Sequence, residues 1–124
     1  MNALTTAGWT VRVTGLTLIA TGLLMWADVP TGLRPIHMLI GIVMVVALLA
    51  ASALALRAGA RPILPAITVG WALLTFAFGM TQTGIMPGEM HVVVEAAHLL
   101  VGLVAIGLGE ALGATGRRGA GAAA

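Results

Sequence analysis

Four long apolar runs, separated by short clusters of Pro, Gly and charged residues, govern what this 124-residue chain can fold into. Hydrophobic residues make up 60% of it, charged residues only 8%, and the mean hydropathy is +1.09. A water-facing domain carries about a quarter charged residues, so this composition predicts an integral membrane protein. A hydrocarbon core of about 30 Å asks for about 20 apolar residues per helix. The runs at about 10–27, 35–56, 63–80 and 89–112 each meet that demand. The expected fold is all-α: a four-helix up-down membrane bundle made of two related helical hairpins, in one transmembrane domain covering 1–124.

The breaks between runs have turn chemistry. Asp28, Pro30 and Gly32 mark the first turn, and Pro35 suits the first turn of the second helix, where its missing N–H costs nothing. Arg57, Gly59, Arg61 and Pro62 form the second, and Pro65 falls near the start of the third helix. The link Thr81-Gln82-Thr83-Gly84 leads to Pro87 and Gly88 before the last helix begins near Glu89. Residues 113–124 are Gly/Ala-rich with Arg117 and Arg118, and are expected to form a flexible cytoplasmic tail. The first apolar run lacks a small-residue cleavage site and reads as a retained span.

All six cationic residues are arginines, scattered at run ends without a patch or interleaved aromatics, so the basic balance gives no reason to expect nucleic acid. Arg12, Arg57, Arg61, Arg117 and Arg118 fall on one side of the expected bundle and Arg34 on the other. The positive-inside rule then places both termini in the cytoplasm of a cell-membrane protein, with Arg12 snorkelling to the near interface. There is no Cys, which removes disulfides, thiolate metal sites and Cys nucleophiles. No Ser-His-acid constellation and no phosphate-cradling glycine loop is present. Gly8, Gly15 and Gly22 recur every seven residues, and Gly102 and Gly109 do the same; these read as packing positions that let helices approach closely in lipid.

Chemistry concentrates in three histidines and one acid. His37-Met38-Leu39-Ile40-Gly41 and His98-Leu99-Leu100-Val101-Gly102 share the pattern His, three aliphatics, Gly. Positions four apart lie one turn above each other on a helix face, so each histidine has a side-chain-free gap beside it, as a flat bulky ligand requires. Arg57 follows His37 by 20 residues and Arg118 follows His98 by the same number, which puts both imidazoles at one depth in the outer half of the bundle. The second and fourth helices are diagonal in an up-down bundle. Together these point to one b-type haem held between His37 and His98, with Gly41 and Gly102 giving clearance and Arg34 binding a propionate. Counting from the outer prolines instead pairs His37 with His91, but Glu95, four residues past His91, would occupy the gap.

Glu95 shares a helix face with His91 and His98 and should need a partner at that depth. It suits a role behind an axial imidazole, a plain pair with His91, or a copper or zinc site with His37, His91 and His98. The alternative to a haem protein is therefore a transition-metal-binding or ion-conducting bundle using His91, Glu95 and His98.

The layout of four helices, a His early in the second and another in the fourth about sixty residues later, resembles one half of haem A synthase. The residues that carry the resemblance are His37 and His98 with the aliphatic-Gly runs after them. It implies a b-type cytochrome-like bundle for electron transfer or haem handling, with an unidentified redox partner; if the chain is an enzyme, it would be a haem-dependent oxidoreductase. The family's substrate half has a Glu one turn ahead of its His, whereas Arg34 stands there before His37, so the cofactor-type half is the better match. A homodimer would restore the family's two-site arrangement. A reporter fused after Ala124 is expected to be active only when it requires the cytoplasm; activity only outside would invert the topology.

Overall fold

A computed structural model describes residues 2–29 and 32–122. Four α-helices follow one another: α1 Ala3–Trp26, α2 Arg34–Arg57, α3 Ile63–Thr81 and α4 His91–Ala122, with a 3-10 turn at Gln82–Gly84 after α3. Each is long and apolar enough to cross a membrane. Pro30 of the first expected turn, the last two residues of the expected tail and the side chains of Arg117 and Arg118 lie outside the described residues.

The ends of α2 and α3 fall close to their expected places, because Pro35 opens α2 within its first turn and Pro62 caps α3. At the other end of α2, Gly59 has φ +80 and donates to the Leu56 carbonyl, while Ala60 N–H donates to that of Ala55. This is a Schellman closure, in which the left-handed residue is most easily glycine. α1 ends with the same pair of bonds, Asp28 to Met25 and Val29 to Leu24, with Asp28 at φ 53 in the glycine place.

The two outer helices differ from the sequence expectation. α1 begins at Ala3 rather than near residue 10, and residues 113–122, expected as a flexible tail, are the last turns of α4. Asn2 starts α1: its side chain accepts from both the backbone N–H and the hydroxyl of Thr5, each at 2.8 Å. The threonines that lower the hydropathy of this stretch turn their hydroxyls onto carbonyls four residues back. Thr6 donates to Asn2, Thr10 to Thr6 and Thr14 to Thr10, so the helix itself absorbs their polarity. α4 continues because α1 is there to receive it. An added Cβ at Gly116 would meet Leu4, one at Gly8 would come within 3.3 Å of the Gly113 backbone, and Leu112 is fully buried with Leu4 and Ala7.

Contacts at 8 with 113, 11 with 109 and 15 with 106 make α1 and α4 antiparallel neighbours. α2 packs between α1 and α3, and α3 closes the ring onto α4. The half of the bundle holding the C-termini of α2 and α4 is solidly packed. Val11, Leu48, Ala72 and Ala105 form one cluster there, and Leu4, Ala51, Ala55 and Leu112 another. The outward faces are apolar as well: Leu39, Ile63 and Leu100 are each more than 60% exposed.

Arg12 finds a partner on another helix. Its Nε and Nη2 donate to Glu110 Oε1 and Oε2, both at 2.6 Å, and its guanidinium lies 4.5 Å from the centre of the Trp9 ring. This bidentate pair ties α1 to α4 beside the glycine contacts.

Gly109 is among the tightest of those contacts, since an added Cβ would sit 2.5 Å from Val11 Cγ1, 3.0 Å from Val11 Cβ and 3.2 Å from Leu48 Cδ2. Gly109→Ala should therefore destabilise the purified protein by about 1–3 kcal/mol through overpacking. Gly107→Ala, where nothing lies within 4 Å, should be neutral or slightly stabilising from helix propensity. Thermal unfolding in detergent checks both.

Candidate functional site

The other half of the bundle is hollow. A cavity of about 330 Å³ runs between the helices at the end where α2 and α4 begin, at the small end of the range for ligand pockets. His37 and His98 face it from the diagonal helices, with ring centroids 6.4 Å apart and planes inclined at 53°. The structure thus brings together the two histidines that the sequence pairs by pattern and depth. Two imidazoles sharing one metal ion, at about 2.0 Å per bond, hold their ring centres about 6 Å apart. The observed separation fits that requirement.

Each ring rests on a glycine of the preceding helix. An added Cβ at Gly22 in α1 would lie 3.4 Å from His37 Cε1, and one at Gly79 in α3 would lie 3.4 Å from His98 Cε1. The two hairpins therefore seat their histidines in the same way. Gly22 had read from the sequence as a packing position, and Gly79 carried no signal because its partner is remote in the chain. Gly41 and Gly102 also line the cavity; a side chain at Gly102 would meet nothing within 4 Å and one at Gly41 only Leu18. Side chains at these two positions would fill space that is now open.

The ring nitrogens are held differently. His37 Nδ1 lies 2.8 Å from Thr21 Oγ1. That hydroxyl also lies 2.8 Å from the Thr17 carbonyl and 3.2 Å from that of Leu18; with its proton on a carbonyl it accepts from an Nδ1–H, which leaves the lone pair of His37 on Nε2. This is the tautomer that ligates metal through Nε2. His98 Nδ1 is buried with no hydrogen-bond partner among the described residues. A buried polar atom in that condition calls for a reason.

Below the rings, Trp71 Nε1 donates to the Val101 carbonyl at 2.9 Å and clamps α3 to α4 beside Gly102. Above them the cavity becomes polar, where Arg34, Gln82, Thr83, His91 and Glu95 contribute to its lining. Arg34 is exposed at the first residue of α2. His91 opens α4 and its Nδ1 lies 3.1 Å from the Ile85 carbonyl, so its ring ties the helix start to the preceding loop. Glu95 makes no hydrogen bond or ion pair with another described residue, and the plain pair with His91 does not form.

No group of three or more His, Asp or Glu able to hold a metal ion converges among the described residues. The set His37, His91, Glu95 and His98 is thus spread along the cavity and not gathered at a point. Sequence reasoning missed Thr21, Gly79 and Phe78, the last set edge-on to the His98 ring, because their roles exist only across a helix interface. It also missed the Arg12–Glu110 pair, for which lone charges of opposite sign inside two apolar runs were a usable signal. No known protein-family model, curated protein or solved structure matches the chain.

Proposed function

We propose that this chain is an integral membrane, up-down four-helix bundle that holds one haem b, with His37 and His98 as the axial ligands. The observation that carries the reading is the pair of imidazoles 6.4 Å apart across a cavity within the bundle. The cavity's glycine-lined walls, the Thr21 oxygen 2.8 Å from His37 Nδ1 and the orphaned Nδ1 of His98 support it. The apolar outward faces support residence in the bilayer, and the arginine distribution supports cytoplasmic termini.

In this reading His37 and His98 bind the group through Nε2, while Gly41 and Gly102 leave room for its plane. Arg34, at the polar end, offers its guanidinium to a propionate. When bound, such a group would supply one-electron chemistry, and while both imidazoles hold it no position is open to oxygen. Electron transfer or haem handling follows, as in the cofactor-type half of haem A synthase that the sequence resembles, with the two hairpins acting as related halves. Copper or zinc binding by His91, Glu95 and His98 is less well supported, because those side chains do not converge.

The purified protein supplied with hemin should show a low-spin, six-coordinate spectrum. His37→Ala and His98→Ala should each lose the haem or turn high-spin, while His91→Ala should keep the low-spin form. A protein that stays colourless with haem supplied would overturn the proposal.

A further inference from the structure

The two hairpins seat their histidines alike on glycine but differ one residue earlier. Thr21 precedes Gly22 and presents its oxygen to His37 Nδ1. Phe78 precedes Gly79, in the equivalent place, and meets His98 edge-on with ring centroids 5.6 Å apart and planes at 83°. One imidazole thus has an acceptor for its Nδ1–H, and the other has a hydrocarbon edge and a buried nitrogen without a partner.

We propose that Thr21 is a positioning residue that makes His37 the fixed ligand, and that Phe78 leaves His98 the exchangeable one. This rests on the haem reading above. An Nδ1–H that donates to oxygen fixes the ring's orientation and raises the basicity of Nε2 toward a metal. Thr21 is itself held against its own helix, its oxygen 2.8 Å from the Thr17 carbonyl and 3.2 Å from that of Leu18. His98 lacks both effects, and its Nδ1–H has exchanged water for nothing. The site is therefore built to release His98 first and keep hold through His37. A small neutral ligand such as carbon monoxide then enters on the α3–α4 side, so the chain also acts as a site for such ligands.

The test compares wild type with Thr21→Val, Thr21→Ser, Phe78→Thr and Phe78→Val, each loaded with hemin in detergent. Three quantities are read: midpoint potential, haem loss to an apoprotein acceptor, and the rate of carbon monoxide binding after reduction. Thr21→Val should raise the potential and speed haem loss by about 10- to 100-fold, and Thr21→Ser should behave as wild type. Phe78→Thr gives His98 an acceptor, so it should lower the potential and slow carbon monoxide binding about tenfold relative to Phe78→Val, which removes the ring without adding a hydroxyl. If Thr21→Val does not fold, the comparison of Phe78→Thr with Phe78→Val decides alone. Equal rates and potentials in that pair overturn the inequality of the ligands while leaving the haem reading intact. Wild type that never becomes low-spin overturns the haem reading and this inference with it.

Discussion

Where Val11 and Leu48 meet α4, Gly109 has no side chain, and the backbone of α4 comes into direct contact with them. Gly8, Gly15 and Gly116 repeat this along the same seam, against Gly113, Ile106 and Leu4. Dispersion between closely fitted surfaces is a short-range force, so removing Cβ atoms at these positions turns loose neighbours into a packed pair. In a chain whose outward faces are as apolar as its core, little else would distinguish inside from outside. The Arg12–Glu110 pair adds direction, since two parallel hydrogen bonds set the register of α1 on α4.

The packed seam also explains the hollow. α1 and α4 are held together at one end by small residues, and α2 joins them there through Leu48, Ala51 and Ala55. Toward the other end the four helices carry Gly22, Gly41, Gly79 and Gly102, which face the cavity and do not draw their neighbours inward. Glycine thus does two opposite jobs in one bundle. Against a neighbouring backbone it permits contact, and beside an imidazole ring it leaves space. Trp71, anchored on the Val101 carbonyl, marks the boundary between the two regimes.

Polar atoms inside the bundle follow one economy. Threonine and serine hydroxyls bond to carbonyls one turn back, as at Thr17, Ser52, Thr68 and Thr75. These bonds let polar residues sit in apolar helices without a tertiary partner. Thr21 makes the same bond and has an acceptor lone pair to spare, which His37 uses. Among the described residues, His98 Nδ1 is the one buried side-chain nitrogen or oxygen left without a hydrogen bond. It belongs to the residue on which the proposed function most depends, which is where an unsatisfied group is most informative.

The number of helices, their apolar character and the inner ends of α2 and α3 were legible in the sequence, because hydropathy, proline and Gly59 act through the local chain. So was the match of His37 with His98, since a repeated pattern and equal spacing carry depth information along a helix. The start of α1 and the end of α4 were not. Asn2 and the threonines look like a polar flank until Asn2 caps the helix and the threonine hydroxyls find its carbonyls, and Gly113 looks like a stop until α1 lies against it. Which glycines would touch a helix and which would face a ring also depended on tertiary structure, as did the oxygen beside His37 and the phenyl edge beside His98. These are contacts between residues 15 or more positions apart in the chain, and no periodicity within one helix encodes what its neighbour presents.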